Sequence, residues 1–147
     1  MVAFNKYQDF VEQVLTAKHN FTAAGDVMKV YLSNVAPTAT DTGKPGSATE
    51  ISAGGNGYTA GGTDVQNTLA EVTGTATVSG TKVVFTSATG AIGPFRYVVL
   101  YNDTQTSPAD ALVGWWDYLS SITLNDTETF SVKFNASETS GSILTLA

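Results

Sequence analysis

Cysteine is absent from this chain of 147 residues, so no disulfide, thiolate nucleophile or sulfur-ligated metal is available to it. Histidine and arginine occur once each, as His19 and Arg96. Charged residues make up 14% of the chain, against about 25% in an ordinary globular protein. The net charge is −6, and the seven basic residues form no run. Nucleic-acid binders cluster Lys and Arg against phosphates, so nucleic acid is not an expected partner. Nowhere do apolar residues continue for the roughly 18 positions a membrane-spanning helix needs. The N-terminus has no basic region leading into an apolar run, so a signal peptide is not expected either. These absences point to a soluble chain made in the cytoplasm.

Threonine, serine, alanine and glycine take the place of the missing charge. Threonine is β-branched and suits a pleated, half-wet surface, which favours strands over helices. The length suits one domain spanning residues 1–147, since halves would be too small to bury a good core.

Residues 4–18 carry the one helical pattern, within an N-terminal segment of residues 1–20. Phe4, Tyr7, Phe10, Val11, Val14 and Leu15 recur at spacings of three and four, with polar residues between them. The stripe is expected to pack on the chain's own sheet or to dock on a partner, with Phe4, Tyr7 and Phe10 as contact residues. His19 would then sit at the helix C-terminus, where a positive side chain complements the dipole.

Strands follow. Residues 27–32 are apolar on both alternating sets, as in a strand covered on two faces. Residues 33–64 are rich in glycine turns (Pro45-Gly46, Gly54-Gly55, Gly61-Gly62) and read as an extended, mobile loop region able to reach a neighbour. Short strands are expected at 49–51 and 57–59. Residues 71–79 and 81–87 read as a hairpin about Ser79-Gly80, and further strands are expected at 95–102, 111–118, 121–124, 127–135 and 142–146. Strands at this spacing argue for an antiparallel β-sandwich or barrel.

The segment from Gly93 to Ile122 concentrates both tryptophans, Arg96 and three of the six tyrosines. Trp115 and Trp116 are adjacent in a strand, so one faces each side of the sheet and one belongs to the core. With Phe95 and Tyr97 they are the candidate packing or interface aromatics. Arg96 is expected to pair with Asp117, because a half-buried arginine needs a carboxylate.

Reaction chemistry finds little purchase. His19 has no Gly-x-Ser-x-Gly serine to activate, and no acidic spacing resembles a calcium loop. No catalytic residue, metal ligand or cofactor is expected, and the protein is expected not to be an enzyme. An outward tryptophan leaves a carbohydrate-binding module as a further class.

The order of elements resembles a family of small tailed-bacteriophage virion structural proteins. The resemblance rests on VMKVYLSNVAPTAT, TEISAGGNGYTAGGTDV, IGPFRYVVLYND and ALVGWWDYLSSITLNDTETFSVKF, and it covers nearly the whole chain. The chain departs from the family pattern at Leu119, where a small residue is expected, and at Thr127, where glycine is expected. The resemblance implies a jelly-roll-like decoration (cement) protein on the capsid exterior, homo-oligomeric and bound to the major capsid protein. A looser similarity to tail-fibre-type proteins implies a tail or neck component, with tail proteins as partners.

Overall fold

The computed structural model describes residues 2–44, 46–135 and 139–147. The fold is mainly β, with 50% strand and 4% helix, and its sheets are antiparallel. In chain order the elements are β1 (Phe4–Lys6), α1 (Phe10–Leu15), β2 (Met28–Ser33), β3 (Thr63–Asp64), β4 (Thr68–Val72) and β5 (Thr75–Thr81). They continue with β6 (Val83–Thr86), β7 (Ile92–Thr106), β8 (Ala109–Leu124), β9 (Thr129–Val132) and β10 (Ser140–Leu146). A five-stranded sheet runs β1-β8-β7-β2-β3, a three-stranded sheet β10-β5-β4, and β6 pairs with β9.

The long hairpin of β7 and β8 is the centre. Its pairs Val98↔Trp116 and Val99↔Trp115 continue through Leu32↔Val98 and Tyr31↔Val99 into β2. The apolar runs in β2 and β7 suit strands covered on both faces, and Val30 to Ser33 and Tyr97 to Asn102 are all buried. One buried cluster joins all three sheets through Val78, Phe85, Leu100, Trp116, Val132 and Ile143. At Val65 the chain crosses between sheets: its N–H donates to the Met28 carbonyl, and its own carbonyl accepts from the Thr81 N–H.

The expected helix over 4–18 is a correction. Only Phe10–Leu15 is helical, and Phe4–Lys6 is a strand, with Phe4↔Trp116, Asn5↔Trp115 and Lys6↔Gly114 in register on the edge of β8. Spacings of three satisfy a helical pattern, but the unpaired edge of β8 offers these residues ladder hydrogen bonds. Tertiary pairing overrides local periodicity there. His19 therefore does not cap a helix, since α1 ends four residues earlier.

The Ser79-Gly80 turn is a second correction. Gly80 lies inside β5, and the hairpin turns at Thr73 and Gly74, both with positive φ (49° and 83°). Glycine stands at 80 because a Cβ would meet Ile143 and Phe134 at 2.9 and 3.0 Å. The strands expected at 111–118 and 121–124 are one strand, β8. At 49–51 there is only an isolated bridge, Ser33↔Glu50, and 57–59 is not a strand. Pro45 of the expected Pro45-Gly46 turn lies outside the described residues.

Leu119 and Thr127, where a small residue and a glycine are expected, both fall on left-handed backbone. Leu119 has φ 67° and Thr127 has φ 72°. A side chain in this region costs about 1–2 kcal/mol, partly offset by the greater chain entropy that glycine loses on folding. Thr127→Gly removes an exposed side chain and keeps the Thr127 N–H bond to the Ser87 carbonyl. It is expected to raise the melting temperature by about 2–4 °C. Calorimetry showing a lower value would contradict this.

Candidate interaction surface

The segment that dominates the sequence is devoted to packing. Arg96 makes a two-pronged contact with Asp117, Nε to Oδ1 at 2.7 Å and Nη2 to Oδ2 at 2.8 Å, tying β7 to β8. Asp117 Oδ1 also accepts the Leu119 N–H at 2.7 Å, which steadies the left-handed turn there. The Arg96 hydrogen bonds hold the Asp117 carboxyl below its usual range, and Asp117 raises the guanidinium in return. The pair lies in contact with water, so salt screens it and it orients the strands more than it stabilises them. Phe95 is fully buried against Phe130, with ring centroids 4.9 Å apart, and Tyr97 is buried beneath the Arg96 guanidinium, 5.2 Å from its ring. Trp116 is buried between Phe4 and Phe134. Trp115 is half-buried and packs on Tyr7 at 4.7 Å.

The glycine-rich region is not a free arm. Lys44 and Glu50 pair at 2.8 Å, and their side chains are only 13% and 16% exposed. The Lys44 ammonium lies over the rings of Tyr31 and Tyr101, 4.8 and 4.6 Å from their centroids. Glu50 Oε1 accepts from the Tyr58 hydroxyl and from the Gly61 N–H, each at 2.7 Å. Tyr31 donates to the Ala48 carbonyl and Tyr101 to the Gly61 carbonyl, so both ends of the loop are bound to β2 and β7. Burial raises the Tyr31, Tyr58 and Tyr101 hydroxyls far above their usual range. Burial also opposes ionisation of Asp103, but Lys29 at 2.7 Å and the Tyr101 hydroxyl outweigh it and hold that carboxyl low. These groups satisfy one another, and the cluster reads as a clasp.

Among the expected helix contacts, Tyr7 and Phe10 are buried and Phe4 is partly buried, so none stands out from the surface. The Tyr7 hydroxyl is the one buried side-chain polar atom without a hydrogen-bond partner among the described residues. The exposed apolar side chains are their neighbours. Leu15 is 82% exposed, and Val11 and Leu146 stand beside a hollow of about 370 Å³ lined by Lys6, Phe10, Val11, Val14, Leu15 and Leu146. A second hollow extends it along Phe4 and Leu144. At another sheet margin, all five residues of edge strand β4 are exposed, Leu69 and Val72 included. Contiguous apolar surface and open strand edges are where proteins meet other proteins.

Sequence reasoning found the stripe on α1 but assigned its wrong members to the surface, because Phe4 in β1, Tyr7 just after it and Phe10 in α1 turn inward. It missed Leu146 and β4, whose exposure depends on how the sheets end. No group of three or more His, Asp or Glu among the described residues is placed to hold a metal ion. No described helix is long and apolar enough to cross a membrane. Comparisons with protein-family models, with curated proteins and with solved structures give no match for this chain.

Proposed function

We propose that the chain is a non-enzymatic structural protein of a tailed-bacteriophage virion. In this reading it is a jelly-roll-like β-sandwich that decorates the capsid exterior, self-associates, and binds the major capsid protein. The observation that carries the reading is the backbone at positions 119 and 127. The family pattern calls for a small residue and a glycine there, and both positions have positive φ in this chain although neither holds glycine. Two further motif pairs support it: Arg96 of the Gly-Pro-Phe-Arg-Tyr strand meets Asp117 of the Trp-Trp-Asp strand, and Glu50 meets Tyr58 within one element.

The mechanism is mechanical. A protein that bridges neighbouring shell subunits buries about 1,200–2,000 Å² per stable contact. Because it binds only the assembled shell, it stabilises that state by mass action. The α1–β10 face, with Leu15, Val11 and Leu146, and the β4 edge supply contact surface.

The test uses particles that lack the protein. They are expected to burst at lower temperature, and added wild-type protein to restore resistance, whereas Leu15→Glu fails to bind. Leu15 is exposed, so this change should leave the fold intact. Unchanged heat resistance of the particles would overturn the reading. A copy number matching a single ring, and not the shell subunits, would move the protein to the tail or neck.

A further inference from the structure

We propose that His19 is an acid-sensitive latch, which in its neutral form ties α1 and the segment after it to β7, and on protonation lets α1 leave the sheet. This is independent of the proposed role in a virion.

The hydrogen-bond partners define which nitrogen carries the proton. Gln13 Nε2 donates to Asp9 Oδ2 at 2.5 Å and to the Thr42 carbonyl at 3.2 Å, both acceptors only. Gln13 Oε1 therefore faces His19 Nε2, 2.9 Å away, and Nε2 must carry hydrogen. On the other side, Asn102 Oδ1 accepts the backbone N–H groups of Thr104 and Gln105 at 3.0 and 3.2 Å. This aims Asn102 Nδ2 at Asp26 Oδ2, the Lys18 carbonyl and His19 Nδ1, the last at 3.1 Å. Nδ1 must then present its lone pair.

A proton on Nδ1 would oppose one donor, Asn102 Nδ2, while Nε2–H keeps its bond to Gln13 Oε1. Asn102 is buried and its amide is held on both ends, so it cannot turn to accommodate that proton. Phe10 and Phe21 flank the ring, each with a centroid 5.4 Å away. The charged groups that bear on the imidazole are Asp26 and Asp9, which favour the cation. Burial outweighs them and lowers His19 to about 4.

The sign follows directly. A histidine lowered below its unfolded value of about 6.5 contributes stability that is complete above that pH and lost as pH falls toward 4. The loss falls first on α1. Six residues cannot remain helical alone, and α1 is held by the burial of Phe10, by Gln13 and by this histidine.

The chain has one histidine, so its ring NMR signal can be followed without ambiguity. The ring is expected to titrate near pH 4. Hydrogen-exchange protection of the Gln13, Thr16 and Lys18 amides should fall about tenfold per pH unit between about 6.5 and 4, about 300-fold in all. That opening should be insensitive to low urea, while amides at the centre of β7 and β8 exchange only by urea-sensitive global unfolding. His19→Gln should abolish the pH slope at α1. Titration near 6.5 overturns the latch, as does α1 protection that is flat with pH or shares one urea-sensitive opening with β7 and β8. Retention of the slope in His19→Gln would show that His19 does not carry it and also overturn the proposal.

Discussion

Glu50→Ala is expected to lower the unfolding free energy by about 3–5 kcal/mol, because it breaks a largely buried ion pair on one side only. Lys44 would be left charged over Tyr31 and Tyr101 with no counter-ion. The Tyr58 hydroxyl and the Gly61 N–H would lose their common acceptor. Glu50→Gln keeps Oε1 for Tyr58 and Gly61 but sets an amide N–H against the Lys44 ammonium, so it spares only the Tyr58 and Gly61 share of the loss. Urea denaturation of the two variants reads this directly. Equal large losses would place the whole cost on Lys44, whereas a loss under about 1 kcal/mol for alanine would mean that water already reaches Lys44 and that the clasp holds nothing.

The second large effect is expected at Gly62, in the same loop. Its φ is +72°, and a Cβ there would land on the Val30 carbonyl oxygen of β2. Gly62→Ala therefore combines a left-handed backbone cost of about 1–2 kcal/mol with an overpacking cost of about 1–3 kcal/mol. The obstacle is backbone of a buried strand, which has no rotamer to yield. The loop must lift, and the Tyr101 bond to the Gly61 carbonyl lifts with it. A total loss of about 3 kcal/mol is expected, with the Tyr101 hydroxyl newly exposed in its ultraviolet titration. A variant as stable as wild type would show that the loop tolerates displacement from β2.

Both results concern a region whose sequence reads as a free arm. Gly54-Gly55 and Gly61-Gly62 are turn signals, and turn signals say that the chain reverses, not where the reversed segment lies. Lys44 and Glu50 look like ordinary surface charges six residues apart. Their partners, Tyr31, Tyr58 and Tyr101, come from separate stretches, so the clasp has no local signature.

The same distinction separates the other outcomes. The apolar runs in β2 and β7 announced strands, because a short apolar run suits a strand covered on both faces. Arg96 and Asp117 were legible for a related reason: a lone arginine in an apolar strand needs a carboxylate, and the next long strand offers one. The stripe from Phe4 to Leu15 misled, because spacings of three suit a helix and also suit a strand that turns into one. Only the open edge of β8 decides between them.

What the sequence determined by itself was the mainly β class, the Arg96–Asp117 pair and the packing role of most of the Gly93–Ile122 aromatics. These follow from residue chemistry and local period. What only the tertiary structure decided was which apolar side chains stay outside, how the glycine-rich loop is held, and why His19 is kept neutral. Each of those depends on groups far apart in the chain meeting in one place, and no local pattern encodes a meeting between distant segments.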